Sequence, residues 1–256
     1  MKKRIVIKLG TGVLSTPEGK SLDTEQFQRL AAEIAALQSA GFSCILVSSA
    51  AIAAGVRVLK LKKRPEDLPG KQACAAAGQP ELMRLYASSF KKHGLPVAQL
   101  LLTHGDIDSL MRRENARNTL ERLLEHGVLP IINENDSVAV EELRFGDNDR
   151  LSADVAILLQ TEHLIILTSV DGLLDREGKR VPRVSDLAEA FRFVRADKGE
   201  ESVGGMKTKL DAVRKVNSAG ISSHILDGRA AGQIAAALAG EDVGTSFAVR
   251  HGALRP

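Results

Sequence analysis

The chain has 256 residues, of which 44% are hydrophobic and 26% charged, and 35 Lys+Arg against 32 Asp+Glu leave a formal charge of +3. That composition fits a soluble globular protein of one large domain or two small ones, and excludes disordered, collagen-like and disulfide-stapled classes. With only 3% aromatic residues and so small a net charge, neither stacking on single-stranded nucleic acid nor attraction to a polyanion or membrane surface is expected.

The N-terminal MKKRIVIKLG carries a short apolar run broken by Lys8, which makes neither a signal peptide nor a span, so the chain is expected to be cytoplasmic. Residues 4–9 predict a strand. A helix is predicted from Asp23, with Asp23 and Gln26 as a capping box, Phe27, Leu30, Ala31, Ile34 and Leu37 at helical spacing, and Gly41 as the stop. Residues 43–48 predict the next strand, and SAAIAAG after it starts a helix of small residues. The basic, two-proline segment 60–71 reads as a surface loop. A helix over 72–92, a strand over 96–103, a helix over 109–126 closed by Gly127 and the strand VLPIIN follow.

In the second half, 137–145 alternates like a hairpin and 150–161 predicts a helix. Residues 163–169 predict a buried strand, 206–219 a helix closed by Gly220, ISSHIL a strand, 229–239 a helix and 245–249 a terminal strand. The stretch 175–205 reads as irregular, a mobile or nucleotide-covering segment. Repeated βα units imply a mainly parallel sheet with helices on both faces, and ligands in such a sheet lie beyond the carboxyl ends of its strands. Cys44 and Cys74 read as buried apolar residues, and none of the six histidines has metal-ligand spacing.

Four loops carry candidate chemistry. Gly10-Thr11-Gly12-Val13-Leu14-Ser15 falls one glycine short of a dinucleotide fingerprint and stands about ten residues before the capped helix. It is read instead as a glycine turn whose amides approach a phosphate, with Lys8 aimed at the same place; a structural turn beside a solvated lysine is the plainer alternative. Ser48-Ser49 precede a helix and suit an anionic group or simply cap it. Asn133-Glu134-Asn135-Asp136 and Gly146-Asp147-Asn148-Asp149 crowd carboxamides and carboxylates into two loops at strand ends, with helix capping by Asp149 the alternative. Gly204-Gly205-Met206-Lys207-Thr208-Lys209 opens a helix and makes a second phosphate-friendly site, or else places lysines on a helix surface.

In this order the blocks resemble the amino acid kinase family, and within it the glutamate kinases, nearly end to end from Val6-Ile7-Lys8-Leu9-Gly10 to Gly244-Thr245-Ser246-Phe247. The most specific stretches are Ile131 to Val138 and Phe145 to Ala153; Gln72 to Gln79 with Tyr86, Gln99 to Thr103 and Asn115 to Thr119 support the closer likeness. The resemblance implies a three-layer αβα sandwich around a mainly parallel sheet. It implies one kinase domain over 1–256, with about 1–150 holding substrate and about 151–256 holding nucleotide; many members of the family carry a further C-terminal domain of the kind found in RNA-modifying enzymes (PUA), and at 256 residues this sequence is expected to lack it. The implied reaction is ATP-dependent phosphorylation of L-glutamate to γ-glutamyl phosphate, the first step of proline biosynthesis. A kinase for another small acid and a catalytically weak ligand sensor are the alternatives.

The residues carried over from the resemblance are Lys8 and Lys209 as cations on the transferring phosphoryl, and Asp149 as the group that holds both. Ser49, Asn133, Asp136 and Asn148 are implied on glutamate, with Asp136 at its α-ammonium. Lys8, Gly10, Thr168, Ser169 and Gly204 to Lys209 (Gly205, Met206, Lys207 and Thr208 between) are implied on ATP. Magnesium is expected to be held mainly by ATP and water, with no protein metal site. A homodimer or homotetramer and feedback inhibition by proline are further implications. Four positions depart from the family pattern: Ala50 stands where glycine is usual, Ser169 where an acid is usual, and Ser202-Val203, just before Gly204, where glycine and threonine are usual.

Overall fold

The computed structural model describes residues 3–17, 21–139, 148–194, 200–247 and 249, with backbone only at 200–204. Among the described residues, eight strands form one sheet: β1 (Lys3–Leu9), β2 (Phe42–Ser48), β3 (Val97–Leu102), β4 (Leu129–Glu134), β5 (His163–Thr168), β6 (Arg183–Val184), β7 (Ser222–Asp227) and β8 (Thr245–Phe247), in the order β3-β4-β2-β1-β5-β7-β8-β6. The six from β3 to β7 in that order run parallel, and β8 turns against β7 with β6 parallel to it. The sheet is mainly parallel, as expected. The chain leaves β1 toward β2 on one side and reaches β5 on the other, so the order reverses at β1, and a crevice opens beyond its carboxyl end.

Two helical layers cover the sheet. One holds α1 (Thr11–Leu14), α2 (Thr24–Ser39), α3 (Ala51–Val58), α4 (Leu68–Lys91) and α10 (Gln233–Ala239). The other holds α5 (His104–Asp108), α6 (Leu110–Glu125), α7 (Asp149–Leu158), α8 (Leu187–Phe193) and α9 (Glu200–Ser218). Strand alternation divides the side chains between them: Ile5, Ile7 and Leu9 of β1 enter the first core, Val6 the second. Lys8 shares the parity of Val6, so its ammonium lies on the side of α7 and α9.

Several local expectations change. The Asp23 carboxylate accepts from Gln26 N at 3.1 Å, but the Gln26 amide donates to Gly228 O at 2.6 Å instead of closing the capping box. The loop predicted over 60–71 ends at Asp67, which caps α4 through Gly70 N at 2.7 Å, and its second proline lies in the helix's first turn. Residues 175–205 are not irregular throughout: they include β6 and α8, tied back by a bridge between Leu174 and Arg180. Residues 229–232 form a turn, so the last helix starts at Gln233, not 229. Of the hairpin predicted over 137–145, residues 140–145 lie outside the described residues.

α3 and α4 cross at glycines. A Cβ on Gly55 would stand 1.8 Å from Cys74 O, and one on Gly78 would stand 1.9 Å from Ala51 O. Only residues without a side chain allow this approach, which brings the start of α3 beside Gln79 of α4.

Candidate active site

The end of β1 carries a buried charge cluster. Lys8 Nζ lies 2.8 Å from Asp149 Oδ1, and Lys209 Nζ donates to Asp149 Oδ2 at 3.1 Å. The Thr208 hydroxyl donates to the same Oδ2 at 3.0 Å. Asp149 is fully buried, and Lys8 and Lys209 are 2% and 8% exposed. Each comes from a different element: Lys8 from the central strand, Asp149 from the first turn of α7, Lys209 from the middle of α9. Asp149 is the first residue of its helix, with Asn148 in the cap position and making no side-chain cap, so the capping alternative does not hold. Two ammonium groups on one carboxylate leave a local excess of positive charge at a sheet crevice, which suits a polyanion.

A line of carboxamides runs from this cluster into the neighbouring strands. Asn148 Nδ2 donates to Asn133 Oδ1 at 2.7 Å, Asn133 Nδ2 to Gln79 Oε1 at 2.8 Å, and Gln79 Nε2 to Gln99 Oε1 at 2.8 Å. Asn148 also donates to Ser48 O at 2.5 Å and reaches Ser49 Oγ at 3.5 Å. Ser48 Oγ meets Tyr86 OH at 2.8 Å, and burial pushes the tyrosine's phenol well above its ordinary range. Neither serine caps α3: that position falls to Ala50, which caps nothing and has φ +79° in the left-handed region. An alanine there is strained, which gives the glycine usual at this position a physical reason.

Beside the carboxamides lies a cavity of about 470 Å³, lined among others by Gln79, Gln99, Glu134 and Asp136. Burial pushes the Asp136 carboxyl up to about 6, against the pull of Arg64. Ala76 and Pro80 of α4 also line it. Because Pro80 has no N–H, the Ala76 carbonyl lacks its helical donor there.

The other side of β1 is formed by Gly10, Gly12 and the ends of β5 and β7. Gly10 N donates to Leu167 O at 3.3 Å, and a Cβ on Gly10 would lie 3.3 Å from that oxygen and 3.9 Å from Lys8 Nζ. A Cβ on Gly12 would touch Ser169 Oγ at 3.4 Å, so the exposed Ser169 faces the β1 loop. Thr168 O accepts from Gly228 N at 2.8 Å. The glycines open a four-residue helix, α1, where a turn alone was expected.

Sequence reasoning placed Gly204 and Gly205 at a helix N-terminus. They lie instead inside α9, which starts at Glu200, so the dipole argument for a phosphate does not apply to them. Gly205 contributes its carbonyl, which accepts from Lys209 Nζ at 3.1 Å. Met206 packs on the second core, and Lys207 points to solvent as a surface lysine. Gly146 and Asp147 lie outside the described residues. Lys8, Asp149, Thr208 and Lys209 are brought together, as are Asn133, Asn148 and Ser49, while Asp136 stands apart in the cavity. Gln79 and Gln99 are not among the site residues that the sequence points to; their presence in two of the stretches that carry the family likeness is the available signal.

The donors here are ammonium groups, hydroxyls and amides, and among the described residues no three His, Cys, Asp or Glu side chains are grouped to hold a metal. Ammonium, hydroxyl and amide donors of this kind fit phosphate oxygens. No helix among the described residues is long and apolar enough to cross a membrane.

A sequence model of the amino acid kinase family matches residues 3–227. The chain is 46% identical over 254 residues to a glutamate 5-kinase of Thermus thermophilus, covering 97% of this chain and 68% of the relative. It is 48% identical over 257 residues to a glutamate 5-kinase of Anaeromyxobacter dehalogenans, covering 96% and 67%. It therefore spans about two thirds of these relatives' length. Among solved structures, an N-acetylglutamate synthase from Neisseria gonorrhoeae superposes with a TM-score of 0.68 at 19% identity, over 96% of this chain and 59% of that one. At that identity the likeness is one of fold alone.

Proposed function

The chain belongs to the amino acid kinase family, and on that premise we propose how its residues divide the work of phosphorylating glutamate. The reaction moves the γ-phosphoryl of ATP to the side-chain carboxylate of L-glutamate, giving γ-glutamyl phosphate, the first step of proline biosynthesis. The carboxylate is ionised at neutral pH, so attack needs no general base. Catalysis rests on alignment and on cancelling the charge of the phosphoryl in transit.

The observation that carries this reading is the buried trio at the end of β1, where Asp149 holds Lys8 and Lys209 on its two oxygens. The lysines neutralise the equatorial and leaving oxygens, and Asp149 keeps both in place by charge-assisted hydrogen bonds. Asp136 and the cavity beside the carboxamide line receive glutamate, its α-ammonium against the Asp136 carboxylate. Asn133, Asn148 and Ser49 hold the far end of the substrate toward the lysines. ATP lies on the opposite side, along Gly10, Thr168, Ser169 and the α9 segment from Gly204 to Lys209. Magnesium bound to ATP would supply further charge screening. Apart from Lys8 and Gly10, the first half of the chain thus serves the amino acid and the second the nucleotide, in a cytoplasmic enzyme.

The test is acyl hydroxamate formation from ATP, magnesium, hydroxylamine and a panel of small acids. Product with glutamate and not with aspartate or N-acetylglutamate is expected; product only with another acid overturns the substrate assignment.

A further inference from the structure

A second ion pair joins the two helices that supply Asp149 and Lys209. Lys215 Nζ donates to Asp154 Oδ1, and Asp154 is 7% exposed. The other oxygen of Asp154 faces Arg150 Nε at 3.9 Å and His104 Nδ1 at 4.0 Å. Asp154 follows Asp149 on α7, and Lys215 follows Lys209 on α9, both in the chain direction. At 1.5 Å per residue, the second contact is displaced by about 7.5 Å along α7 and about 9 Å along α9. The helices therefore run side by side with two rungs between them, and Leu151, Val155, Leu210 and Val213 of the same core belong to these helices.

One rung alone leaves a pivot. Sliding or rotation of α9 about the Asp149–Lys209 contact would carry the Lys209 ammonium off its line while keeping the core buried. Two rungs a turn and a half apart fix both register and angle. Asp154 touches neither the cavity nor the cluster at β1, so its buried charge has no use in the site already described. We propose that Asp154 and Lys215 are positioning residues that hold α9 in register on α7, and so place Lys209 for phosphoryl transfer. The inference rests on the glutamate kinase reading for its kinetic consequence, but not for its structural one.

The experiment compares the full chain with Asp154→Asn/Lys215→Met, which removes both charges at once, and with Lys215→Arg, which keeps the pair. The double variant should lose about tenfold or more in kcat, with the KM for ATP and for glutamate each within about threefold, as misplacement of a reacting group produces. Lys215→Arg should keep most of the activity. Hydrogen exchange gives a second readout that needs no activity: amides of residues 205–212 should exchange faster in the double variant, while those of β2 and α2 stay as protected as before. Unchanged kcat with unchanged exchange at 205–212 overturns the proposal, as does an increase in exchange spread evenly over the chain. If the unmodified chain does not turn over glutamate, the functional reading fails, and the exchange data alone decide the clamp.

Discussion

Lys8 Nζ stands 2.8 Å from Asp149 Oδ1, and the two side chains are 3% and 0% exposed. A pair so far from water survives only when the remaining polar atoms are also engaged, and here Lys209 and Thr208 occupy the second carboxylate oxygen. Such a cluster costs desolvation energy that apolar residues would not, which fits a site kept for chemistry.

Lys209→Ala tests the division of charge. Lys8 remains to neutralise Asp149, so the fold should persist, while the phosphoryl loses one of its two cations. Steady-state kinetics should show kcat lower by about a hundredfold or more, with the KM for ATP changed little. Near-normal turnover would remove Lys209 from the mechanism.

Asp136 gives a pH-dependent prediction. Its carboxyl is pushed up to about 6 by burial, from 3.8. The ionised form pairs with the substrate ammonium, so kcat/KM for glutamate should fall as pH drops through about 6. For stability the sign is opposite to the usual carboxylate case. Between pH 3.8 and 6 the folded form keeps a proton that the unfolded form has lost, so the ionised carboxylate costs stability, fully above about pH 6. Asp136→Asn should thus stabilise the protein at pH 7.5 by about 1–2 kcal/mol, a gain that fades toward pH 4, while raising the KM for glutamate far more than that for ATP. Denaturation at the two pH values and the two KM values check both halves.

Ala50 sits at φ +79° at the head of α3. Ala50→Gly should relieve about 1 kcal/mol of left-handed strain, a rise of about 2–4 °C in Tm for a chain of this size. A fall in Tm would contradict the backbone assignment.

His163 and His224 face each other across β5 and β7 with ring centroids 5.7 Å apart, and neither Nδ1 has a hydrogen-bond partner among the described residues. Burial, then repulsion from His163, pushes the His224 imidazole down to about 4. Below its ordinary 6.5 the unfolded chain takes a proton that the folded one refuses, so stability present above pH 6.5 is lost as pH falls toward 4. His224→Phe should remove about 1–2 kcal/mol of that loss, measured as the change in unfolding free energy between pH 7 and 5.

Much of the fold and of the site is legible in the sequence. β-Branched runs buried on both faces can be little else than strands of a parallel sheet, and Asn133, Asn148 and Asp149 belong to two stretches at strand and helix ends too rich in polar groups to be caps alone. Gln79 was harder, because one glutamine in an alanine-rich helix looks like a surface residue until the Gly55–Gly78 crossing turns it inward. The left-handed backbone of Ala50 leaves no periodic trace, and the Gly204-Gly205 pair misled because glycines more often mark a helix end than its interior. The Asp154–Lys215 rung joins residues 61 apart and has no local signature at all.

Transfer of oxygen is the most direct test that the glutamate side chain attacks phosphorus in this site. With both side-chain carboxylate oxygens of glutamate labelled with ¹⁸O, and hydroxylamine present to cleave the acyl phosphate at carbon, each phosphate released should carry one labelled oxygen. Unlabelled phosphate would mean that water, not glutamate, takes the phosphoryl, and would contradict the account.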